Sequence, residues 1–326
     1  MELTMPRLSI VIATLNPRRD VLDWTLDALA SQTMRDFEVV IADNGSSPPV
    51  DGESLATKHG LDIRVVRELH NGVTFARCAG ILAARCEWIV FVDDDNGLDA
   101  NYLEESLGII ERSPEIGAFG GVAVLGCDEP VPEWMEKLLP YLGIRDYGPE
   151  IITSREDRWG PWEPIGAGMV FRRDIGLKFV QLIERDALAR TIGRRGKSLI
   201  CGEDSLLARM AYRMGYACSY QPSLRLTHRI NPNRMSAWHL AKTVEGVARS
   251  FVIYETVLGR PQPDPKLWPT LKELAGRFRH RTKTKGLRAG GIEWFWDVGY
   301  FRHSRLLNRS EGRKNGAEVL HRHSEL

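Results

Sequence analysis

The 326-residue chain is 43% hydrophobic and 27% charged with a formal net charge of +1, a balance that fits a soluble globular protein of one large or two modest domains. No apolar run approaches the roughly 18–20 residues needed to span a bilayer. Leu8–Ala13 is too short for a signal-peptide core and Met1-Glu2 supplies no basic start, so a cytoplasmic protein without a signal peptide is expected. Cys78, Cys86, Cys127, Cys201 and Cys218 are odd in number and scattered, which argues against a disulfide framework and a zinc site.

The near-zero charge conceals an asymmetry. Residues 271–326 hold 13 Lys/Arg against 6 Asp/Glu, leaving 31 against 37 in the first 270. A basic end on a slightly acidic body suggests a polyanionic partner for that end.

In chain order, Leu8–Ala13 is a short β-branched run, predicted as a buried strand. Val21, Leu22, Leu26 and Leu29 have helical spacing, predicting a helix over Asp20–Ser31. Phe37–Ala42 is a second strand ending in the turn Asp43-Asn44-Gly45-Ser46. Ile63–Val66 is a third strand, Thr74–Ala84 an Ala-rich helix and Trp88–Val92 a fourth strand. This alternation implies a mostly parallel sheet flanked by helices, an α/β fold. Cys127–Trp162 is rich in Pro and Trp and is expected to be ordered loop with short helices. Ile165–Phe171 is predicted as a strand opened by Gly166-Ala167-Gly168, followed by a helix near Asp174–Ile192. A helix is expected from Glu203-Asp204 to about Met214, then a strand over Leu224–His228. Beyond Asn233 the pattern is helical and basic. The expected division is residues 1–230 as one domain and 231–326 as a basic, mainly helical extension.

Parallel strands carry their functional loops at the carboxyl edge. Thr14 and Asn16 follow the first strand, Asp43 the second, Asn71 and Gly72 the third, and Asp93-Asp94-Asp95 the fourth. Four polar strand ends in a row indicate one binding crevice. Three adjacent carboxylates repel one another unless a cation or donors compensate. Their hard oxygens suit Mg²⁺ or Mn²⁺ held jointly with substrate phosphates, or they form an acidic turn capping the helix Ala100–Glu111. Neither Gly-x-Gly-x-x-Gly nor a Walker A sequence follows the first strand, so a glycine cradle for phosphate is absent. Glu203-Asp204 at a helix start reads either as a cap or as a general base for an acceptor hydroxyl. His228 at a strand end reads either as structural or as a further metal ligand.

The order Leu8–Ala13 with Thr14-x-Asn16, Asp43-Asn44-Gly45-Ser46, Asn71-Gly72 with Ala76-Arg77, Phe91–Asp95, Gly202-Glu203-Asp204 with Arg209 and Gly215, then His228, resembles the family 2 glycosyltransferases of the GT-A (Rossmann-like) fold over residues 7–230. The resemblance implies an inverting enzyme, of hexosyltransferase type, that moves a sugar from a nucleotide-sugar, UDP-linked by expectation, to a hydroxyl on a glycan or lipid-linked acceptor in bacterial-type cell-surface polysaccharide or glycolipid synthesis. It implies that Thr14, Asn16 and Asp43 line the nucleotide site, with Asp43 accepting from a pyrimidine N3–H. Asn71, Gly72 and Arg77 would border ribose and diphosphate, and Asp93 and Asp94 would face ribose and donor sugar. Asp95, joined by His228, would hold Mn²⁺ or Mg²⁺. Gly166, Ala167 and Gly168 would lie beneath the donor sugar and the acceptor. Asp204 would be the catalytic base, with Glu203 orienting the acceptor or the loop. Cys78 stands after Arg77 where such enzymes often have Asn. The Gln-x-x-Arg-Trp signature of processive synthases is missing, so single sugar addition is expected.

Arg277–Arg281, Lys283–Lys285, Trp294–Trp296 and Tyr300–Arg302 interleave cations with aromatics. Two readings are open: docking on an anionic face of the cytoplasmic membrane, or a helical subdomain whose aromatics pack inward. No nucleic-acid-binding signature accompanies them. A metal-dependent sugar nucleotidyltransferase is the competing enzyme class, disfavoured by Thr14-Leu15-Asn16-Pro17 where a Gly-rich basic loop belongs. A non-catalytic nucleotide- or glycan-binding protein is the other, disfavoured by Asp95, Asp204 and His228.

Overall fold

The computed structural model describes residues 6–127, 130–263 and 267–308. Residues 1–5, part of the N-terminal reading, and 309–326, the end of the basic extension, lie outside the described residues. Two compact units emerge. The first comprises Met1–Gly126, Ile144–Gln181 and Asp204–Arg229, the second Cys127–Gly143, Leu182–Glu203 and Ile230–Leu326.

The first unit contains the sheet. β1 (Leu8–Thr14), α1 (Arg19–Ala30), β2 (Phe37–Asp43), α2 (Gly52–His59), β3 (Ile63–Arg67), α3 (Val73–Ala83) and β4 (Trp88–Asp93) follow in alternation. β3, β2, β1 and β4 lie side by side in that order, all parallel. β1 and β2 are buried on both faces, as continuous apolar strands covered by helices must be. α3 approaches β1 closely because Gly80 has no side chain: a Cβ there would sit 2.3 Å from Val11 Cγ1.

β5 (Asn96–Leu98), α4 (Tyr102–Arg112) and β6 (Ile116–Leu125) complete the first stretch. After α5 (Glu133–Glu136), which belongs to the second unit, β7 (Ile152–Ser154), β8 (Val170–Arg172), α6 (Arg173–Arg185), α7 (Glu203–Arg213) and β9 (Ala217–His228) follow. Among the described residues nine strands form one sheet, ordered β3-β2-β1-β4-β8-β6-β9-β5 with β7 paired to β9. β8 is antiparallel to β4 and β6, whereas β6 and β9 are parallel. The expected α/β sheet flanked by helices is present, with a helical C-terminal region.

Several elements differ from expectation, among them α2, β5 and β7, which were not expected. β6 is a long strand in a segment not read as one. Its Gly117, Gly120 and Gly121 dilute the β-branched signal. Gly121 is required by the packing, since a Cβ there would lie 1.9 Å from the Leu224 carbonyl oxygen. β9 begins at Ala217 rather than Leu224. Pro222 hides its first half, and the structure places that proline in a bulge where Gly120 pairs Tyr220 but Val122 pairs Arg225. The Gly-opened strand shrinks to Val170–Arg172, with its glycines in a loop. The helix expected to reach Ile192 stops at Arg185, where the Asp186 carboxylate accepts from the N–H groups of Leu188 (2.8 Å) and Ala189 (2.9 Å) and turns the chain.

Glu38, buried on β2, sits in register with Ser9 of β1. Its carboxylate accepts from Ser9 Oγ, Arg85 N and Arg85 Nε, each at 2.7 Å, and from Arg64 Nη2 at 3.1 Å. Burial opposes the charge, but these donors outweigh it and hold the carboxyl below the usual glutamate range. A depressed folded-state pKa contributes stability that is complete above the unfolded value of about 4.3 and is lost as pH falls through the folded one. Glu38→Gln is therefore expected to cost about 1–3 kcal/mol at pH 7 in urea unfolding, a moderate figure because both arginines are half-exposed. The gap between variant and wild type should close below about pH 4; a gap that persists there would contradict the assignment.

The second unit is helical. α8 (Ala237–Val257), α9 (Leu267–Lys285) and α10 (Leu287–Asn308) pack through α10, which contacts both others. Asp297 on α10 is fully buried and receives Arg277 (3.0 Å) and Arg281 (2.6 Å) from α9. Trp294 lies edge-on to Phe278, and Trp296 stacks on Tyr300 beside Phe251. These aromatics and several of the cations of the basic extension are thus used in packing its own helices. No helix among the described residues is long and apolar enough to cross a membrane. No disulfide joins any of the five cysteines among the described residues.

Candidate functional site

Strand register assembles the site. β1–β2 pairing sets Thr14 beside Asp43, and β1–β4 pairing sets Ala13 beside Asp93, so the strand-end groups converge at one edge of the sheet. The Thr14 hydroxyl donates to Asp94 Oδ2. Burial pushes the Asp94 carboxyl up to about 6; the Thr14 hydrogen bond opposes that push, and Asp95 and Asp93 add to it by repulsion.

Asp93 takes a different partner. Its Oδ1 accepts from Arg77 Nη2 at 2.8 Å, and the buried Arg77 guanidinium also lies over the Phe91 ring at 4.8 Å. Gly166 abuts this guanidinium: a Cβ at that position would be 2.4 Å from Arg77 Nη2. The glycine therefore lets the loop lie directly on the arginine.

Asp95 faces β9. Asn96 pairs with His228 across the antiparallel β5–β9 ladder, which brings Asp95 Oδ1 to 3.3 Å from His228 Nε2. Asn96 is fully buried; its Oδ1 accepts from Asp93 N and its Nδ2 donates to Asp95 Oδ1, both at 3.2 Å. It clamps the triplet's turn. Sequence reasoning stopped at the third aspartate, although an amide directly after an acidic run is a recognisable turn signal.

The Asp95–His228 pair has the spacing of two metal ligands. Two cis ligands of an octahedral ion at ~2.1 Å are about 3.0 Å apart, close to the observed separation. His228 is buried, and its Nδ1 has no hydrogen-bond partner among the described residues, so the ring is not committed to a structural bond on that side. No three His, Cys, Asp or Glu among the described residues converge as a complete cage. An oxygen–imidazole pair with open positions fits Mg²⁺ or Mn²⁺ that completes its shell with phosphate oxygens and water.

Asp43 is buried, with Oδ1 accepting from Ser46 N at 2.8 Å and Oδ2 from Val50 N at 3.2 Å. Burial would raise its carboxyl, but Ser46, Val50 and nearby Arg67 hold it below the usual range, so it is a firm acceptor. Asn16 adopts φ 49° and is tied to the same loop: its N–H donates to Ser46 Oγ and its Oδ1 accepts from Ser47 N, both at 2.8 Å. Asn44, also missed as a site support, accepts from Gly72 N (2.8 Å) and donates to the His70 carbonyl (2.8 Å). Gly72, at φ 135°, opens α3, and Asn71 beside it is exposed. Ala167 is buried, and the Gly168 carbonyl accepts from the Tyr102 hydroxyl at 2.6 Å.

Asp204 lies in the first turn of α7, where its Oδ2 accepts from Gly166 N and its Oδ1 from Ser205 N, both at 2.8 Å. The first unit thus holds Thr14, Asn16, Asp43, Asn71, Gly72, Arg77, Asp93, Asp94, Asp95, Gly166, Ala167, Gly168, Asp204 and His228. Glu203 belongs to the second.

The chain is 31% identical over 110 residues to an uncharacterized glycosyltransferase of Haemophilus influenzae, covering 33% of this chain and 36% of that one. It is 32% identical over 104 residues to the putative glycosyltransferase EpsH of Bacillus subtilis, covering 31% and 30%. It is 33% identical over 121 residues to a PGL/p-HBAD biosynthesis glycosyltransferase of Mycobacterium bovis, covering 36% and 47%. The matched stretch spans about a third of the length of the first two relatives. Among solved structures, S. aureus TarS superposes with a TM-score of 0.48 at 16% identity, covering 93% of this chain and 55% of TarS. The model for glycosyl transferase family 2 matches residues 9–176, about half of the chain, and the protein belongs to that family.

Proposed function

We propose that the protein is an inverting glycosyltransferase that moves a sugar from a nucleotide-sugar, UDP-linked by preference, to a hydroxyl of a glycan or lipid-linked acceptor in cell-surface polysaccharide or glycolipid synthesis. The observation that carries this reading is a chain of contacts around the acidic triplet: an Asp95–His228 pair spaced for a cation, and an Asp204 carboxylate that accepts from the N–H of Gly166, the glycine lying on the Arg77 that binds Asp93. Asp43 accepts from the N3–H of uracil, while Thr14 and Asn16 shape the pocket around the base. Arg77, Asn71 and Gly72 border ribose and diphosphate. Asp93 and Asp94 face the ribose and the donor sugar. The raised Asp94 carboxyl suits a group that shares a hydrogen with a sugar hydroxyl.

A divalent ion bound at Asp95 and His228 would neutralise charge on the departing diphosphate. Asp204 takes the proton of the acceptor hydroxyl as that oxygen forms its bond to the anomeric carbon. The bond from the anomeric carbon to the phosphate oxygen breaks on the opposite face, its electron pair leaves with the nucleoside diphosphate, and the configuration inverts. Gly166–Gly168 lie under the reacting sugars, and Glu203 orients the acceptor. Among the described residues, exposed Lys272, Arg279 and Lys283 on α9 could meet an anionic membrane surface.

A thermal-shift series with UDP-, dTDP- and GDP-sugars in Mn²⁺ tests the donor assignment. UDP- or dTDP-sugars should raise Tm by several degrees, and Asp43→Ala should abolish the shift; ligand at ~100 Kd contributes about 2.7 kcal/mol. A larger shift with GDP-sugars would overturn it.

A further inference from the structure

A loop residue, Gly166, supplies the N–H that pins Asp204, so something must hold that loop against α7. Glu163, three residues upstream, is 3% exposed and lies 3.1 Å from Arg209 Nη2, and Arg209 is fully buried on α7, the helix whose first turn holds Asp204. Arg209 Nη1 also reaches Asp157 Oδ1 at 3.4 Å. The Glu163 carbonyl accepts from Arg145 Nη1 at 2.5 Å. The segment from Asp157 to Gly166 is therefore attached to α7 at separate points, which fixes its rotation as well as its distance.

Stability alone does not account for burying such a pair. Apolar residues of similar volume are commonly as stable or more so, because both ions must be stripped of water. The strain shows in Glu163 itself: burial pushes its carboxyl up to about 7, against the pull of Arg209 and the Ser205 hydroxyl, with Asp204 adding repulsion. What an ion pair supplies that a Leu–Met contact does not is an attraction between two particular atoms, Glu163 Oε2 and Arg209 Nη2, in a low-dielectric interior.

We propose that Glu163 and Arg209 are positioning residues for the transfer reaction: their buried ion pair sets the 157–166 loop so that the Gly166 N–H meets Asp204 and turns its remaining lone pairs toward the acceptor hydroxyl. This rests on Asp204 being the base. A misplacement of about 1 Å at a reacting group costs up to about 10²-fold in rate, so Glu163→Gln should lower kcat about 10- to 100-fold and leave the donor KM within about threefold.

Three variants and one exchange measurement test it. Glu163→Leu combined with Arg209→Met should recover urea stability relative to Glu163→Gln yet keep kcat at least about tenfold below wild type. In Glu163→Gln the Gly166 amide should lose exchange protection about tenfold or more while β1 amides keep theirs. Wild-type kcat in the double variant, or unchanged Gly166 protection, would overturn the proposal. Asp204→Asn separates the two claims. If it is inactive while the double variant turns over normally, the positioning role alone fails. If it turns over normally, the base assignment fails, and the positioning role with it.

Discussion

Asp204→Asn is expected to lower kcat by about 10³-fold while donor KM stays within about threefold, because a positioned general base contributes roughly 10²- to 10⁴-fold. The substitution is nearly isosteric. The amide oxygen can still accept from the Gly166 N–H, while its NH₂ group takes the place of the oxygen that accepts from Ser205 N, so the loop contact stays and Tm should fall only slightly. The main loss is the capacity to take the acceptor proton. Steady-state kinetics with a fixed acceptor, together with nucleotide-binding isotherms, check it. Retained binding with lost turnover supports the assignment, and turnover within about threefold of wild type would remove Asp204 from the mechanism.

Asp95→Ala is expected to abolish the metal requirement along with most of the activity. Asp95 supplies the carboxylate of a pair whose other member is a buried imidazole 3.3 Å away. Truncation leaves His228 alone, too little to hold a hard divalent ion against bulk water. We expect kcat/KM to fall about 10²-fold or more, to the level of wild type in excess EDTA, and the variant to be insensitive to EDTA. His228→Ala should weaken Mn²⁺ activation with a smaller loss, since it removes the softer ligand. Full transfer by the wild type in EDTA would contradict both. Titrating Mn²⁺ against activity in the three proteins separates lost affinity from lost chemistry.

Much of this site was legible because it is built from strand ends. A parallel sheet puts the residues after β1, β2, β3 and β4 at one edge whatever the loops do, so Thr14, Asp43, Gly72 and Asp93–Asp95 could be grouped from their order alone. Less legible were the residues that act by contact across the chain. Asn96 clamps the triplet only because β5 is clipped to β9, and β9 was half hidden behind Pro222. Glu163 sits in a Pro- and Trp-rich segment without periodicity, where one glutamate carries no signal until its partner on α7 is known. Gly166 looked like the opening of a strand and proved to be the point where a loop rests on Arg77.

The amino-acid sequence by itself determined the parallel core, the edge that carries the polar groups and the membership of the acidic triplet in that edge. These follow from local periodicity and from the alternation of strand and helix, which need no long-range information. The family resemblance set Asp95 apart from Asp93 and Asp94, but only the tertiary structure gave each carboxylate its partner. Asp93 goes to Arg77, Asp94 to Thr14 and Asp95 to His228, three partners from three separate segments. Adjacent carboxylates are chemically identical in the chain. They become different when burial, a cation and an imidazole each claim one, and that assignment is a property of packing.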